Sequence, residues 1–262
     1  MDIIISQSAG SNGKEIDAIC LGSGRFLRSV LVPFLSSNLK PAVFQTRGRT
    51  FLDSLKEDHV DVIDGRNTVS SLRYPVDTIQ FNGNTTTSNI EIYAAGTLGT
   101  LDGKSQLMDS LLSKMNCVTV IGVGVTESGL QSSDNQCMLD LTQLLYKVFG
   151  QGMKCTNPNG KICVINTDNV PNNGNVIRSH VLNNAEKYSV EKEGEGFVEF
   201  LKSKVVFLNS MVDRITSSRP NSNGLVPLCE PLPNKALVIF DQGKDLPLWM
   251  NDKDVQSRFG VR

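Results

Sequence analysis

Apolar runs and amphipathic stretches alternate along most of this 262-residue chain. The runs "IDAICLG" at 16–22 and "PAVFQ" at 41–45 are typical of strands, and "FLRSVLVPFLSSNL" at 26–39 between them has the spacing of a helix. Two strands joined by a helix form a β-α-β unit, which is the building block of parallel sheets. The first part of the chain therefore predicts a parallel sheet.

The region from about 50 to 95 departs from this rhythm. Its apolar segments "VDVIDG", "VDTIQFNG" and "IEIYAAG" are short, alternate in polarity and are separated by turns that contain Gly or Asn. Alternating strands joined by such turns are typical of hairpins. We therefore predict an antiparallel insertion at about 50–95.

The helix and strand alternation then resumes. The predicted helices are "GKSQLMDSLLSKM", "MLDLTQLLYKVFG", "GNVIRSHVLNNA" and "GFVEFLKSK", and the predicted strands are "CVTVIGVGVT", "KICVINTDN", "VVFLN" and a late "KALVIFD". Nearly continuous apolar strands indicate a sheet covered on both faces. The fold class predicted is α/β, with a doubly wound, mostly parallel sheet and the antiparallel insertion, in one domain over 1–262. The turn-rich stretch "TSSRPNSNGLVP" predicts a solvent-facing loop.

Composition and charge narrow the partners. The chain is 39% hydrophobic and 20% charged, with a formal net charge of -1, so nothing draws it toward nucleic acid or an anionic membrane. No run approaches the roughly 18 apolar residues of a membrane span, and the start "MDIIISQSAGSNGKE" lacks the pattern of a secretory signal. We expect a cytoplasmic protein whose partners are small molecules.

The thiols and imidazoles give no metal-binding pattern. None of the six cysteines forms a C-x-x-C pair, and three of them lie in or beside apolar runs, so buried thiols are expected rather than disulfides or metal ligands. The only histidines are His59 and His180. A histidine-rich metal site is therefore not expected.

Polar residues collect where the predicted strands end. In a doubly wound sheet, ligands bind outside the carboxyl ends of the strands. These ends carry Gly22, Ser23, Gly24, Arg25 and Phe26; then Thr126 and Glu127; then Asp168, Asn169, Asn172 and Asn173; and finally Asn209, Ser210, Asp213 and Arg214. The sequence thus predicts one shared crevice.

The turn "GSGRFL" has the form of a shortened dinucleotide fingerprint. Its two glycines allow a tight bend and close approach of the backbone, and the helix that follows offers N–H groups to a pyrophosphate. Leu27 stands where the third glycine of the fingerprint would be. We predict cofactor binding by Gly22, Ser23, Gly24, Arg25 and Phe26, against the alternative of a purely structural turn.

The end of the second predicted strand bears on the choice of nucleotide. It reads "QTRGR" at 45–49 and lacks the acidic residue that would bind a ribose 2′-hydroxyl. Arg47 could bind a 2′-phosphate instead, or the segment could be a solvated basic turn. Both interpretations stay open.

"YSVEK" at 188–192 offers a competing interpretation. Its Tyr188 and Lys192 have the Tyr-x-x-x-Lys spacing of the short-chain dehydrogenases. That family also has a different glycine-rich turn and a serine before the tyrosine, which this chain does not match. We interpret Tyr188 and Lys192 as residues of a solvated helix.

Four stretches together resemble a known family. "LGSGRFLR", "VTESG", "VINTDNVPNNG" and "FLNSMVDRIT", followed by "EPLPNKALVIFD", are similar in order and spacing to the N-terminal domain of the mannitol dehydrogenase family. These are polyol-specific long-chain dehydrogenases, and they include fructuronate and tagaturonate reductases. The resemblance implies a Rossmann-type sheet that binds NAD or NADP and is joined to a helical second domain.

The resemblance also implies roles for individual residues. Asn169 matches the asparagine that hydrogen-bonds the developing alkoxide, a task suited to a preorganised amide. Glu127 matches an acid linked to proton movement, Asp213 matches a substrate-hydroxyl contact, and Thr126 falls in the cofactor site. Each has a structural alternative, as a turn former, a helix-cap acid or a member of an ion pair. Arg214 is expected to brace the strand end or to pair with a carboxylate.

The family's catalytic lysine lies in a Lys-x-x-x-x-Asn-x-x-His pattern, which this sequence does not contain. Lys192 and Lys235 have no supporting motif. We therefore expect an N-terminal domain or a truncated chain, either as the cofactor-binding half of a polyol or hexuronate oxidoreductase or as a catalytically silent nucleotide-binding module. The "QTRGR" turn is similar to that of the NAD-dependent uronate reductases, so the expected cofactor is NAD, with NADP left open.

Overall fold

The computed structural model describes residues 3–6, 16–59, 61–63, 66–68, 71–99, 104–188, 194–222, 224–231, 236–252 and 259–261. The helices are α1 (Val32–Ser36), α2 (Thr50–His59), α3 (Lys104–Leu112), α4 (Gln136–Gly150), α5 (Asn173–Tyr188) and α6 (Phe197–Lys204). The strands are β1 (Ile3–Ile5), β2 (Ala18–Leu21), β3 (Pro41–Gln45), β4 (Asp61–Ile63), β5 (Arg66–Thr68), β6 (Leu72–Ile79), β7 (Thr85–Ile92), β8 (Ala94–Thr97), β9 (Val120–Val123), β10 (Ile162–Asn166), β11 (Val205–Val212), β12 (Thr216–Ser218), β13 (Pro227–Cys229), β14 (Leu237–Phe240) and β15 (Phe259–Val261).

The main sheet follows the doubly wound plan. Its strand order is β1-β8-β3-β2-β9-β10-β11-β14-β15. The six strands from β8 to β11 run parallel. At the edges, β1 is antiparallel to β8 and β14 is antiparallel to β11, and β15 is parallel to β14. The order reverses at β2, so the crevice at the carboxyl ends of β2 and β9 is the topological switch point where such sheets bind ligands.

Both faces of the sheet are covered, as the apolar strands predict. On β10, Cys163 and Ile165 face a core shared with α2 and with the first helix, which covers residues 27–36 and includes α1. Ile162 and Val164 face a core shared with α3 to α6. Successive strand side chains point to opposite faces, so a strand that is buried on both sides must be apolar throughout. The predicted mostly parallel α/β sheet is confirmed.

The region at 50–95 is only in part the predicted antiparallel insertion. β4 pairs with β5 and β6 with β7 as antiparallel hairpins. Residues Thr50–His59, however, form helix α2, and β8 returns to the main sheet parallel to β3. Helix α2 was missed because the hairpin pattern that follows it dominated the interpretation of the whole region.

A second sheet covers the side of the first helix. It has the order β12-β13-β6-β7, and its buried residues Tyr74, Val76 and Cys229 belong to the same core as the first helix and α2. The stretch at 216–227 was predicted as a solvent-facing loop, but β12 forms its first three residues and β13 begins at its last one, and the two strands pair with each other. The loop's two ends are therefore ordered as strands.

The first helix is a composite of two helical types. Leu27–Leu31 is π-helical and leads directly into α1, whereas a single regular helix was expected over 26–39. A π-helical segment displaces the usual backbone hydrogen bonds. Two carbonyls of this segment accept side-chain donors from outside the helix, Arg28 O from the Tyr74 hydroxyl at 2.6 Å and Ser29 O from Arg214 Nη1 at 2.7 Å.

The remaining expectations concern thiols and membranes. All six cysteines lie in described segments as free thiols. Cys20, Cys137, Cys163 and Cys229 are buried, as predicted, whereas Cys117 and Cys155 are only partly buried. Among the helices that the structure describes, none combines the length and the apolar character needed to cross a bilayer.

Candidate functional site

The turn after β2 is shaped by Gly22. Its φ is 111°, and a Cβ at this position would lie 2.8 Å from the carbonyl oxygen of Gly124. Its N–H donates to Phe44 O at 2.7 Å. A left-handed backbone and a close backbone neighbour both require glycine, so the first glycine of "GSG" has a structural reason to be there.

The third glycine of the fingerprint normally lets the helix pack closely on the sheet. Here glycines outside the helix have that role. Leu27 is fully buried and packs against Gly124. A Cβ added to Gly124 would lie only 3.1 Å from Leu27 Cβ. An added Cβ at Gly122 would be 2.7 Å from Leu31 Cδ2. The glycines that let the helix pack closely on the sheet are thus on β9 and just after it, rather than in the helix.

Several backbone N–H groups around the turn have no hydrogen-bond acceptor among the residues that the structure describes. The first helical N–H to be bonded is that of Arg28, which donates to Gly24 O at 3.0 Å. Within the described residues, no acceptor is assigned to the N–H groups of Gly24, Arg25 and Phe26, as the geometry of helix starts leads one to expect. Gly24 is exposed, and a Cβ there would meet nothing within 4 Å.

Arg25 and Phe26 lie on the first turn of this helix and are exposed. The Arg25 guanidinium donates to Ser218 Oγ at 3.1 Å, and Phe26 is 37% exposed. Both side chains are therefore accessible at the mouth of the turn.

A crevice of about 170 Å³ lies beside the turn. It is lined by Thr46, Arg47, Gly124, Val125, Thr126, Ser128, Gly129, Asn135, Gln136 and Cys137. The crevice brings together Arg47 and Thr126, which were predicted on separate strand ends. Arg47 is exposed, no acidic side chain lines the crevice, and Thr126 Oγ1 lies 3.0 Å from Ser128 Oγ.

Sequence reasoning missed the part of this crevice that comes from the start of α4. Asn135 caps this helix, because its Oδ1 accepts from Cys137 N at 3.1 Å. The "DNQCML" stretch carries that signal, since an Asn before an amphipathic run is a typical helix start. Burial raises the pKa of the Cys137 thiol to about 12, so this thiol is not a nucleophile at neutral pH.

The polar residues between β10 and β11 form a buried network. Asn173, fully buried, donates from Nδ2 to Asp168 O at 2.8 Å and to Ser210 O at 3.0 Å. Its Oδ1 accepts from Ser210 N at 3.0 Å and Gly174 N at 2.8 Å. Ser210 Oγ donates to Asn166 O at 2.6 Å. The amide of Asn173 thereby ties the two strands to the start of α5.

Gly174 allows that contact to be close. A Cβ on Gly174 would be 2.5 Å from the carbonyl carbon of Leu208. Asn209 Oδ1 accepts from Asn175 N at 3.2 Å, which satisfies another donor of the helix start. The Asn-Asn-Gly stretch at 172–174 and the Asn-Ser stretch at 209–210 therefore pack closely at the strand–helix junction and are joined there by hydrogen bonds.

Asn169 has its amide orientation fixed. Its Oδ1 accepts from Val212 N at 2.7 Å; a backbone N–H bonds only an acceptor, so Nδ2 is the end that points away. Asn169 is exposed, and no acceptor for Nδ2 is assigned in the described part of the chain. Asp213 follows Val212 directly and is also exposed. The structure thus brings Asn169 and Asp213 to the same strand end.

Arg214 and Glu127 have different surroundings. Arg214 is 7% exposed and donates to Ser29 O at 2.7 Å, Thr78 Oγ1 at 3.2 Å and Glu230 O at 3.3 Å. It braces the strand end, as expected, but through carbonyl and hydroxyl oxygens rather than a carboxylate. Glu127 is exposed at the first position of a 3₁₀ helix, Glu127–Leu130.

Tyr188 lies far from this strand end. It is at the last position of the 16-residue α5, so about 24 Å of helix separates it from the start of α5. It lies on a helix, as expected, but it is half-buried rather than fully solvated. Its ring centroid lies 4.6 Å from that of Tyr146 and 6.0 Å from that of Phe197. Lys192 and Lys235 lie outside the described residues.

Metal binding gains no support. Among the described residues, no group of three or more His, Cys, Asp and Glu side chains is arranged to hold a metal ion. His180 Nε2 lies 2.8 Å from Leu130 O, which is a structural contact.

Solved structures with a similar course of the chain include several dehydrogenases. Yersinopine dehydrogenase with NADP⁺ bound has a TM-score of 0.43 at 7% identity and covers 95% of this chain and 47% of its own. D-mandelate dehydrogenase with NADH and anilino(oxo)acetate has a TM-score of 0.40 at 11% sequence identity, and the match covers 94% of this chain and 56% of that enzyme. A protein provisionally assigned as a 2-dehydropantoate 2-reductase from Enterococcus faecalis has a TM-score of 0.45 at 9% sequence identity. This match covers 94% of this chain and 56% of that protein. The chain thus spans about half the length of these proteins.

Sequence comparison is more specific. No curated protein sequence matches the chain. Among protein families, residues 16–244 match the mannitol dehydrogenase Rossmann domain, which takes in β2 through β14 and all the candidate site residues. The chain therefore belongs to the mannitol dehydrogenase family, and these residues are its Rossmann domain.

Proposed function

We propose that this chain is the NAD(P)-binding domain of an oxidoreductase that moves a hydride between a secondary alcohol of a sugar alcohol or aldonate and a nicotinamide. The observation that carries the proposal is the family match over residues 16–244. The geometry of the strand ends supports it, because unbonded donors and a crevice lie at the switch point of the sheet. The residues present fit a dinucleotide.

The pyrophosphate would bind at the turn Gly22–Gly24. Gly24 is exposed and its missing side chain leaves open space, so no protein contact explains why it is glycine. A ligand that approaches the backbone closely would explain it. The N–H groups of Gly24, Arg25 and Phe26 could then donate to phosphate oxygens at the positive end of the helix.

One nucleoside would occupy the crevice that Arg47 and Thr126 line. The crevice contains an arginine and no carboxylate, which suits a 2′-phosphate by the general rule for these sheets. The likeness of "QTRGR" to the NAD-dependent uronate reductases points the other way, and we propose NAD as the cofactor. An affinity ratio strongly in favour of NADPH would overturn that choice.

Asn169 would serve the chemistry by donating from Nδ2 to the oxygen of the reacting alcohol or ketone. Because Oδ1 is anchored on Val212 N at 2.7 Å, the donor is held in place before the substrate arrives. A preorganised donor of this kind stabilises negative charge as it develops on oxygen. Nicotinamide would supply the hydride acceptor or donor.

Two carboxylates complete the proposed site. Asp213, exposed beside Val212, would accept hydrogen bonds from substrate hydroxyls. Glu127, exposed after Thr126, would pass protons between solvent and the lysine base of a helical second domain. That lysine would come from outside these 262 residues.

A catalytically silent nucleotide-binding module is the second candidate function. The observation that favours it is the absence of the family's lysine pattern from the sequence. Turnover of mannitol, fructose or a fructuronate-type substrate by the 262 residues alone would refute it.

The proposal is tested by calorimetric titration of the chain with NADH and with NADPH, using ADP as a competitor. We expect saturable binding at one site per chain for at least one nucleotide, and ADP should displace it. Folded protein that binds neither nucleotide would contradict the proposal.

A further inference from the structure

Arg28 is a buried cation beneath the glycine turn. Its side chain is only 3% exposed. Nε donates to Ser23 O at 2.7 Å, Nη2 to Gly224 O at 3.0 Å, and Nη1 to Leu225 O. The guanidinium also lies 5.0 Å from the ring centre of Phe51 and 6.0 Å from that of Tyr74.

Arg28 has no anionic partner among the described residues. All three of its hydrogen bonds end on neutral carbonyls, and Arg25, a charged neighbour on the same helix, is another cation. Burial lowers the pKa of Arg28, but a guanidinium remains charged in proteins. A buried charge normally has a counter-charge, because removing it from water is costly.

The contact with Ser23 sets the direction of the next peptide group. A trans peptide is planar, and its C=O and N–H point in opposite directions. Because Ser23 O is held by Arg28 on the buried side, the N–H of Gly24 points to the opposite, exposed side. Gly24 is exposed and its N–H has no assigned acceptor in the described residues.

We propose that Arg28 is a positioning residue for a diphosphate-bearing ligand: it holds the Ser23–Gly24 peptide so that the Gly24 N–H faces the ligand, and it supplies positive charge behind that N–H. The inference rests on the proposed dinucleotide function and adds a residue to it that does not touch the ligand. Arg28 thereby couples the turn to the loop at Gly224 and Leu225, which joins β12 to β13.

The chain contains a matched control for a merely structural arginine. Arg214 is also buried and also donates to backbone carbonyls, among them Ser29 O at 2.7 Å. Its other hydrogen bonds among the described residues are with Thr78 and Glu230, so none is with the turn Gly22–Gly24. Loss of Arg214 should weaken the fold without a specific effect on phosphate binding.

The experiment compares ADP with adenosine, which lacks the diphosphate, on wild type, Arg28→Met, Arg28→Lys and Arg214→Met. Binding is measured by calorimetry for ADP and by ligand-observed NMR for adenosine, and stability by thermal unfolding. For Arg28→Met we expect ADP affinity to fall by about tenfold or more, the scale of one charge-assisted hydrogen bond. Adenosine affinity should change by less than about twofold.

The conservative variant separates charge from geometry. Arg28→Lys keeps the charge but not the planar fork that reaches three carbonyls, so its ADP affinity should lie between wild type and Arg28→Met. Arg214→Met should lower the melting temperature while leaving the ratio of ADP to adenosine affinity unchanged. If Arg28→Met does not fold, the ratio of ADP affinity to adenosine affinity in Arg28→Lys tests the inference instead, and we expect it to be lower than in wild type.

Two results would overturn the inference alone. One is a parallel loss of ADP and adenosine affinity in the Arg28 variants, and the other is an unchanged ADP affinity. Wild-type protein that binds neither ADP nor NADH would instead contradict the proposed function, and the inference with it.

Discussion

The junction between β10 and β11 and the turn after β2 use similar polar and small residues for opposite purposes. At the junction, the amide of Asn173 bonds with Asp168, Ser210 and Gly174, and each of these groups is satisfied inside the protein. At the turn, the N–H groups of Gly24, Arg25 and Phe26 have no assigned acceptor within the described residues. Hydrogen-bond saturation, rather than residue type, separates structural polar groups from those available to a ligand.

Even the two glycines of the turn differ in this way. Gly22 is required by its φ of 111° and by the carbonyl oxygen of Gly124, whereas a Cβ on Gly24 would meet nothing. The first glycine therefore belongs with the structural group and the second with the ligand-facing group.

Gly22→Ala should have the largest effect. An alanine here would combine a left-handed backbone with a Cβ 2.8 Å from a backbone oxygen, so we expect a loss of about 3 kcal/mol or more in the free energy of unfolding, or no folding. Urea unfolding measures it. The control Gly152→Ala has a φ of 60° and open space, so it should cost only about 1–2 kcal/mol.

Asn169 should divide activity from stability. In a protein that carries both domains, Asn169→Ala and Asn169→Asp should each lower turnover by roughly 10²–10³, because both remove the Nδ2 donor. Only the alanine variant also loses the acceptor for Val212 N, which should cost about 1 kcal/mol of stability. Steady-state kinetics and urea unfolding check the two parts; full turnover in Asn169→Asp would refute the donor role.

Asn173→Ala should destabilise the protein by about 2–4 kcal/mol, because it leaves buried donors and acceptors without partners. Thermal or urea unfolding measures this change. The control Asn175→Ala, an exposed position in the same helical turn, should stay within about 0.5 kcal/mol of wild type. Equal losses in the two variants would show that the network around Asn173 does not matter.

Gly24→Ala should have the smallest effect on stability, but it should lower the affinity for the nucleotide. We expect a change in unfolding free energy within about 0.5 kcal/mol but a loss of about tenfold in nucleotide affinity, because the methyl group would stand where a phosphate approaches. Calorimetric titration measures the affinity. Unchanged binding would mean that the turn is not the phosphate site.

The sequence predicted the α/β fold well because buried parallel strands are apolar throughout and amphipathic helices separate them. It predicted less well where tertiary contacts override local pattern: helix α2 was missed within the proposed insertion, and the π-helical Leu27–Leu31 depends on Tyr74 and Arg214, which are distant in sequence. The strand-end positions of Asn169 and Asp213 followed from topology. The burial of Asn173 and Arg28 could not be predicted, because only the folded chain shows which polar groups are enclosed.

We propose that the nucleotide binds at the turn after β2 and its crevice, whereas the Asn173–Ser210 network between β10 and β11 is structural. Amide chemical shifts of the isotope-labelled chain, followed by NMR during titration with NADH, test this residue by residue. We expect the N–H signals of Gly24, Arg25 and Thr126 to shift with a common saturation curve, while that of Ser210, whose N–H donates to Asn173 Oδ1 at 3.0 Å, stays in place. Shifts confined to other surfaces, or no saturable shift at Gly24, would contradict it.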